Sequence, residues 1–410
     1  MTIFGEKESE VATIVNIVTR QELDRDEIRD HFARVLWSSI IEPGDGVAGR
    51  AVSLLGAAAA LDLVMEKNSA AGIGTILRDA GADELTDADV AKALTRWEPR
   101  LRPPAALIAL HQAERVGARL LVPDSLLWPQ SINDLEKHSP MALWCRGTEA
   151  ALIALSSSIA LVGSRAATGY GEHITMEASA GLVDRGYAVV SGAAYGIDGM
   201  AHRAALASQG VTVAFLAGGV DRFYPSGHDT LLARIAETGA VLSEMPCGEP
   251  PTKWRFLQRN RLIAAASQAT VVMEAGWRSG SLNTAGHAAN LGRGLGAVPG
   301  PVTSAASAGC HLLIREFDAV CVTNPDEMAQ LAPLQVTAPT LDFAFDAQGL
   351  PSSRFPSQIR VLDAMSSRSP RSVDEVATRS GLAITDVQSA LGALKMEGKV
   401  SERDRGWILV

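Results

Sequence analysis

Aromatic residues make up only 5% of this 410-residue chain, and its four cysteines, Cys145, Cys247, Cys310 and Cys321, contain no CxxC pair. Such spacing builds neither a zinc ribbon nor a disulfide scaffold, so the thiols read as reduced and buried. The eight histidines show no HExxH or comparable spacing, which leaves no sequence signal for a metal. No signal-peptide pattern opens the chain. Its longest stretch free of Lys, Arg, Asp and Glu, Gly294 to Ile314, is interrupted by Pro299, Pro301 and His311, and so fails as an apolar span. Net positive charge is lacking too: the formal balance is −9, and any nucleic-acid site must be local. The expectation is a soluble, cytoplasmic protein with no membrane segment, metal or cofactor.

What is present is a 47% hydrophobic composition with 37 glycines, which suits an α/β protein with many tight turns. A chain of this length exceeds one hydrophobic core, so two or three domains are expected.

Residues 1–110 have helical texture. "RDEIRDHFARVLWSSI" sets Ile28, Phe32, Val35 and Leu36 at amphipathic-helix spacing. The break "EPGDG" that follows resembles a helix-hairpin-helix turn, whose glycines let amides approach phosphate. Asp45 lies inside that turn and opposes an anion, which favours a structural role.

Residues 111–330 form the expected core. "SIALVG", "YAVVSG", "VTVAFLAGG", "AVLSE", "ATVVMEAG", "GLGAVPG" and "AVCVT" are β-rich runs alternating with helical segments. Apolar on both faces, they predict an extended Rossmann-like, doubly wound parallel sheet with ligands beyond its strand ends. Residues 331–354 read as a Pro-containing linker. Residues 355–410 read as a small winged-helix domain, with helices around Val373–Arg379 and Thr385–Glu397, a Ser-Gly-Leu turn and two strands about Gly406. Asp386, Lys395 and Glu397 on the second helix argue against a DNA-reading face.

The strand-end loops carry the chemistry. After the first run come Gly163, Ser164 and Arg165, with Gly169 and Gly171 ahead of a helix. Glycine lets amides face a phosphate, and Arg165 supplies a bidentate fork. The spacing is not GxGxxG, and "YAVVSG" ends at Ser191 and Gly192 with no ribose-binding acid, which disfavours a dinucleotide oxidoreductase. Ser191, Asp198 and His202 suggest a triad or half a metal site. A carboxylate in a first helical turn has a simpler use as a cap. Gly280, Ser281 and Thr284 open another helix suited to phosphate oxygens. "KWRFLQRNR" packs Lys253, Arg255, Arg259 and Arg261 around Trp254, Phe256 and Asn260 with no acid. It reads as a loop leading into a helix that starts near Asn260. Its arginines either face an anion or, for one of Arg259 and Arg261, pair with Glu244 or Glu274.

The ordered set VGSR, SGxAxGID, GGxDxxYP, SExPxGxxP, RNR, SGSLxTA and AVPG resembles the DNA-processing protein A (DprA/Smf) family over most of the chain. That resemblance implies a non-enzymatic protein that binds single-stranded DNA, works as a homodimer through its Rossmann core, and loads RecA recombinase during uptake of transforming DNA. It gives Arg165 the family's phosphate-binding role. Gly163, Ser164, Ser191, Gly192, Arg222, Lys253, Arg255, Arg259, Asn260, Arg261, Gly280, Ser281 and Thr284 join it as DNA-binding candidates, with Tyr224, Trp254 and Phe256 as stacking surfaces. Ser226 stands where many members place a cation after Tyr-Pro, leaving Lys253 and Arg222 as substitutes. The alternatives are a nucleotide-binding sensor and a phosphoribohydrolase-like enzyme. The latter lacks its glutamate, since His287 occupies that position.

Overall fold

The computed structural model describes residues 1–334 and, beyond them, 358, 361–362, 364–367, 369–380, 384–403 and 406–409. The chain forms two compact units, Met1–Gln335 and Val336–Val410.

A hairpin of β1 (Thr2–Ile3) and β2 (Glu6–Lys7) precedes a helical region. The Arg25–Ile40 helix starts at a capping box, Asp24 accepting from the Asp26 and Glu27 amides while Glu27 accepts from the Asp24 amide. It buries Ile28, Phe32, Val35 and Leu36 as the spacing requires. Asp45 caps the Gly46–Leu55 helix through the Val47 and Ala48 amides, and its other oxygen binds Arg96 and the Trp97 indole. The turn amides are thus spent on the protein's own carboxylate, and the break is structural. One hydrophobic cluster joins these helices to a face of the sheet, from Ile14 and Trp37 to Leu216 and Val241.

The sheet has nine strands. In chain order they are β3 (Arg119–Leu121), β4 (Leu143–Gly147), β5 (Ser158–Gly163), β6 (Ala188–Ser191), β7 (Thr212–Leu216), β8 (Ala240–Ser243), β9 (Ala269–Glu274), β10 (Gly294–Ala297) and β11 (Val320–Cys321). In space the order is β11-β10-β9-β5-β6-β7-β8-β4-β3. All seven expected runs are strands, and β5 to β11 pair in parallel. The two strands not expected, β3 and β4, extend one edge in antiparallel.

Alternation divides the central strands between two layers. Ile159 and Leu161 pack with Ala178 and Leu182 of the Gly169–Asp184 helix and Ala201 of the Ile197–Ala207 helix. Ala160 and Val162 face Leu262 to Ala266 of the Lys253–Ala266 helix and Ala285 of the Ser281–Asn290 helix. Strand order reverses between β5 and β9, which opens a crevice at their carboxyl ends.

Two expectations need correction. The helix expected near Asn260 begins at Lys253, because Thr252, placed after Pro250 and Pro251, accepts from the Arg255 amide as its N-cap. Cys145, Cys247 and Cys310 are buried, but Cys321 on the edge strand is exposed. The uncharged stretch from Gly294 holds β10 and the Ala308–Glu316 helix. Among the described residues no single helix is long and apolar enough to cross a membrane.

In the second unit, helices Val373–Ser380 and Ile384–Met396 and the hairpin of β12 (Val400–Arg403) with β13 (Gly406–Leu409) enclose Val376, Val387, Leu391 and Val400. This is the expected winged helix. The linker from residue 335 and the turn at 381–383 lie outside the described residues. Lys395 on the second helix pairs with Glu402 at 3.0 Å and lies over the Trp407 ring.

Candidate nucleic-acid interface

At the carboxyl ends of β5 and β9 lies a cleft of about 570 Å3, walled by the loops after both strands and by the Lys253–Ala266 helix. Gly163 ends β5 where the chains are tight: a Cβ there meets Ile197 at 2.6 Å and the Glu274 carbonyl at 2.8 Å. The next residue is held at both ends, the Ser164 amide donating to Glu274 O at 2.7 Å and its carbonyl accepting from Ile197 N at 3.1 Å. Arg165 therefore leaves a rigid mount. Its guanidinium lies over the Phe256 ring, 5.1 Å from the centroid, and makes no ion pair among the described residues. Tyr224 sits beside Phe256 with ring centroids 5.7 Å apart, and half of its surface is exposed.

Across the cleft, Arg278 and Ser279 lead into the Ser281–Asn290 helix, and Gly280, Ser281 and Thr284 line the wall. Asn260 fastens this loop by donating to Gly280 O at 3.3 Å and Asn283 Oδ1 at 3.2 Å. Arg278 is exposed and has no polar partner among the described residues. The sequence singles out Gly280, Ser281 and Thr284 of this loop as phosphate ligands but not Arg278. The usable signal was an arginine placed between the end of β9 and a helix start.

The helix N-terminus after β5, the usual phosphate seat in this fold class, is already occupied. Glu274, buried at the end of β9, accepts from the Thr168 amide at 2.9 Å and from its hydroxyl at 2.6 Å. Gly169 and Gly171 lie within that helix's first turn, and a Cβ on Gly171 meets the Glu274 carboxylate at 2.5 Å. An anion entering the cleft thus meets Arg165 and Arg278 rather than this dipole.

Helical phase sorts the basic cluster, at about 100° per residue. Phe256, Leu257 and Asn260 face the cleft, and Lys253 shares their side one turn earlier. Lys253 is exposed and without a partner among the described residues, as is the side chain of Arg222 in the loop after β7. Arg255 points inward to Glu42, with both contacts at 3.0 Å, and to Glu249 at 2.7 Å. Arg261 pairs with Glu244 at 2.8 Å in a site where both side chains are buried. Arg259 lies under the cleft floor and donates to Gly192 O at 2.7 Å and to Phe215 O. Burial lowers its pKa to about 10, opposed by the Asp198 charge, so it remains a cation at neutral pH. A Cβ on Gly192 meets this guanidinium at 2.4 Å.

Ser191 donates to Leu161 O at 2.6 Å, and Asp198 holds the Gly192 and Ala194 amides. His202 bonds to Thr212, away from both. These residues brace the loop and form no nucleophilic triad. His287 lies off the cleft, on the far side of the Ser281–Asn290 helix. Trp254 also faces away from Phe256, toward a second cavity. Among the described residues no cluster of His, Cys, Asp and Glu could hold a metal ion.

At its switch point the doubly wound sheet brings together two arginines without ion pairs among the described residues and a ring pair, groups whose chemistry suits an anionic, ring-bearing ligand. The family model of DNA recombination-mediator protein A matches residues 119–333, and that of the DprA winged-helix domain matches residues 347–404. The chain is 44% identical over 307 residues to DNA processing protein DprA of Mycobacterium tuberculosis, covering 72% of this chain and 77% of that protein. It is 35% identical over 301 residues to protein Smf of Escherichia coli, covering 72% and 78%. The X-ray structure of DNA processing protein A from Streptococcus pneumoniae is similar with a TM-score of 0.56 at 27% identity, over 74% of this chain and 97% of that one. The chain belongs to the DprA/Smf family.

Proposed function

We propose that this chain binds single-stranded DNA in the cleft between β5 and β9 and does no chemistry on it. The observation that carries this reading is the pairing of free cations with stacking surfaces: Arg165 and Arg278 line the cleft together with Phe256, and Tyr224 lies beside the Phe256 ring. Phosphates are met by charge and bases by rings, which is how sequence-tolerant grooves work. Among the described residues Asp198 is the one carboxylate lining the cleft, and it is tied to backbone amides. Among the described lining residues no acid and base flank a space for a glycosidic bond. Family membership supports the wider reading, in which two copies join through the Rossmann-like core and load RecA recombinase onto the strand during DNA uptake in the cytoplasm.

The test is a fluorescence titration of labelled oligo-dT at several salt concentrations. Arg165→Ala and Arg278→Ala should each weaken binding equally for all base sequences and lower the salt slope by roughly 0.7 per lost phosphate contact. Arg165→Ala should cost more than Lys253→Ala, because the Ser164 mount has already ordered its side chain. Equal competition by free dTMP and by oligo-dT, phosphate for phosphate, identifies a mononucleotide receptor instead. Unchanged binding in both arginine variants at low salt refutes the proposal.

A further inference from the structure

Trp254 is 53% exposed although its neighbours Arg255 and Phe256 are not. Helical phase places Trp254, Gln258 and Arg261 on one side of the Lys253–Ala266 helix, where they wall a cavity of about 880 Å3 beneath the N-terminal helical region. The opposite wall is apolar, with Val47, Leu85, Leu135 and Leu291. Three carboxylates line the space, and each is neutralised: Glu42 by Arg100 and Arg255, Asp45 by Arg96, and Asp134 by Arg293. Lys137, exposed and without a polar side-chain partner among the described residues, is left as unbalanced charge on the rim. Lys253, equally free, is the first residue of the helix whose Trp254 lines this cavity and whose Phe256 lines the cleft.

We propose that this second cavity is a further subsite for the same single strand, in which a base leaving the first cleft stacks on Trp254 and its phosphates pass Lys253 and Lys137. The inference rests on the DNA-binding reading of the first cleft. It follows from continuity and charge. A strand stacked on Phe256 reaches the helix N-terminus within one turn, meets Lys253 there, and finds an exposed indole on the far side. Aromatic rings beside spare cations suit a nucleobase with its phosphate, whereas an apolar peptide would leave Lys137 unmatched. Burial lowers the pKa of His287 in the cavity wall, which leaves a neutral imidazole able to hydrogen-bond a base edge.

The experiment compares labelled oligo-dT of about 4 and about 16 nucleotides, the span of common single-strand site sizes. These are titrated against the full chain and its Trp254→Ala, Trp254→Phe, Lys137→Gln and Arg165→Ala variants. Trp254→Ala should weaken the long oligonucleotide by about 5- to 150-fold, the range for one stacked base, and leave the short one unchanged. Trp254→Phe should restore most of the loss, and Lys137→Gln should lower the salt slope for the long oligonucleotide alone. Equal affinity of wild type and Trp254→Ala for the long oligonucleotide, with Arg165→Ala still weakening both lengths, overturns the second subsite and leaves the first. An equal loss for both lengths in Trp254→Ala also overturns it, because the indole then belongs to the first cleft. Arg165→Ala without effect at either length refutes the parent reading instead.

Discussion

Arg261→Ala decides whether the basic helix serves DNA or the fold. Its guanidinium is 3% exposed and faces Glu244, itself 8% exposed, at 2.8 Å. It also donates to His138 O and Gln258 O, both at 3.1 Å, tying the Lys253–Ala266 helix to the segment before β4. The second Glu244 oxygen is buried with no hydrogen-bond partner in the described structure, so the arginine is this carboxylate's main compensation. Removing one partner of such a pair costs about 3–5 kcal/mol, because an uncompensated charge stays buried. At roughly 2–4 °C per kcal/mol for a sizeable domain, Tm should fall by about 6–20 °C. Circular-dichroism melts give the first number. Titration of the oligo-dT of about 4 nucleotides, which spans the first cleft alone, well below the variant's Tm gives the second, and its Kd should stay within about twofold of wild type. The double change Arg261→Met with Glu244→Leu should recover most of the lost stability, since apolar replacement of a buried pair is often neutral or better. A variant that keeps its melting temperature but loses DNA refutes this reasoning and makes Arg261 a phosphate ligand.

Acid should weaken the fold through His202. Its Nδ1 donates to Thr212 Oγ1, which itself donates to Val189 O, its Nε2 has no partner, and burial lowers its pKa to about 3. Because the unfolded chain takes up this proton near pH 6.5 and the folded one only near 3, stability is whole above pH 6.5. It falls by about 1.4 kcal/mol per pH unit below that. His202→Gln should flatten denaturation midpoints across this window, and an unchanged acid limb contradicts the assignment. Asp45→Ala should lose about 1–3 kcal/mol from the cap and its Arg96 and Trp97 contacts. Its affinity for the oligo-dT of about 4 nucleotides, which spans the first cleft alone, should not rise, and a gain in affinity argues for a phosphate-binding turn. Chromatography of AMP or GMP incubated with the protein should show no free base. Release that is lost in a cleft variant favours the enzyme. Truncation after residue 334 should leave oligo-dT binding nearly intact, because the wing's Lys395 is already paired with Glu402. Loss of binding by the folded truncation makes the wing a DNA site.

The parallel strands were legible because each is apolar on both faces and most end in glycine or a small polar residue, and the fold class then pointed to the loops after β5 and β9. β3 and β4 were not legible. "RLL" is too short to show a period, and "LWCRG" pairs antiparallel through contacts that only the tertiary fold supplies. At the site, Arg165 could be read from its Gly-Ser mount, but Arg278 was overshadowed by the glycines and hydroxyls that follow it. "KWRFLQRNR" misled for a physical reason. Four cations without an adjacent acid read as an anion site, yet Arg255 finds Glu249 and also Glu42, 213 positions away, Arg261 finds Glu244, and Arg259 finds carbonyls. Helical phase was available, and it puts Arg255 and Arg259 on the inward side and Arg261 on the Trp254 side. What it could not supply was the partner each would find. A cation on the inner face of a helix must meet a carboxylate or a row of carbonyls, because burial unpaired costs more than the fold can sustain. A cation on a strand-end loop carries no such obligation. In an acidic chain, the isolated Arg165 and Arg278 are therefore better evidence for an anionic ligand than the densest basic run.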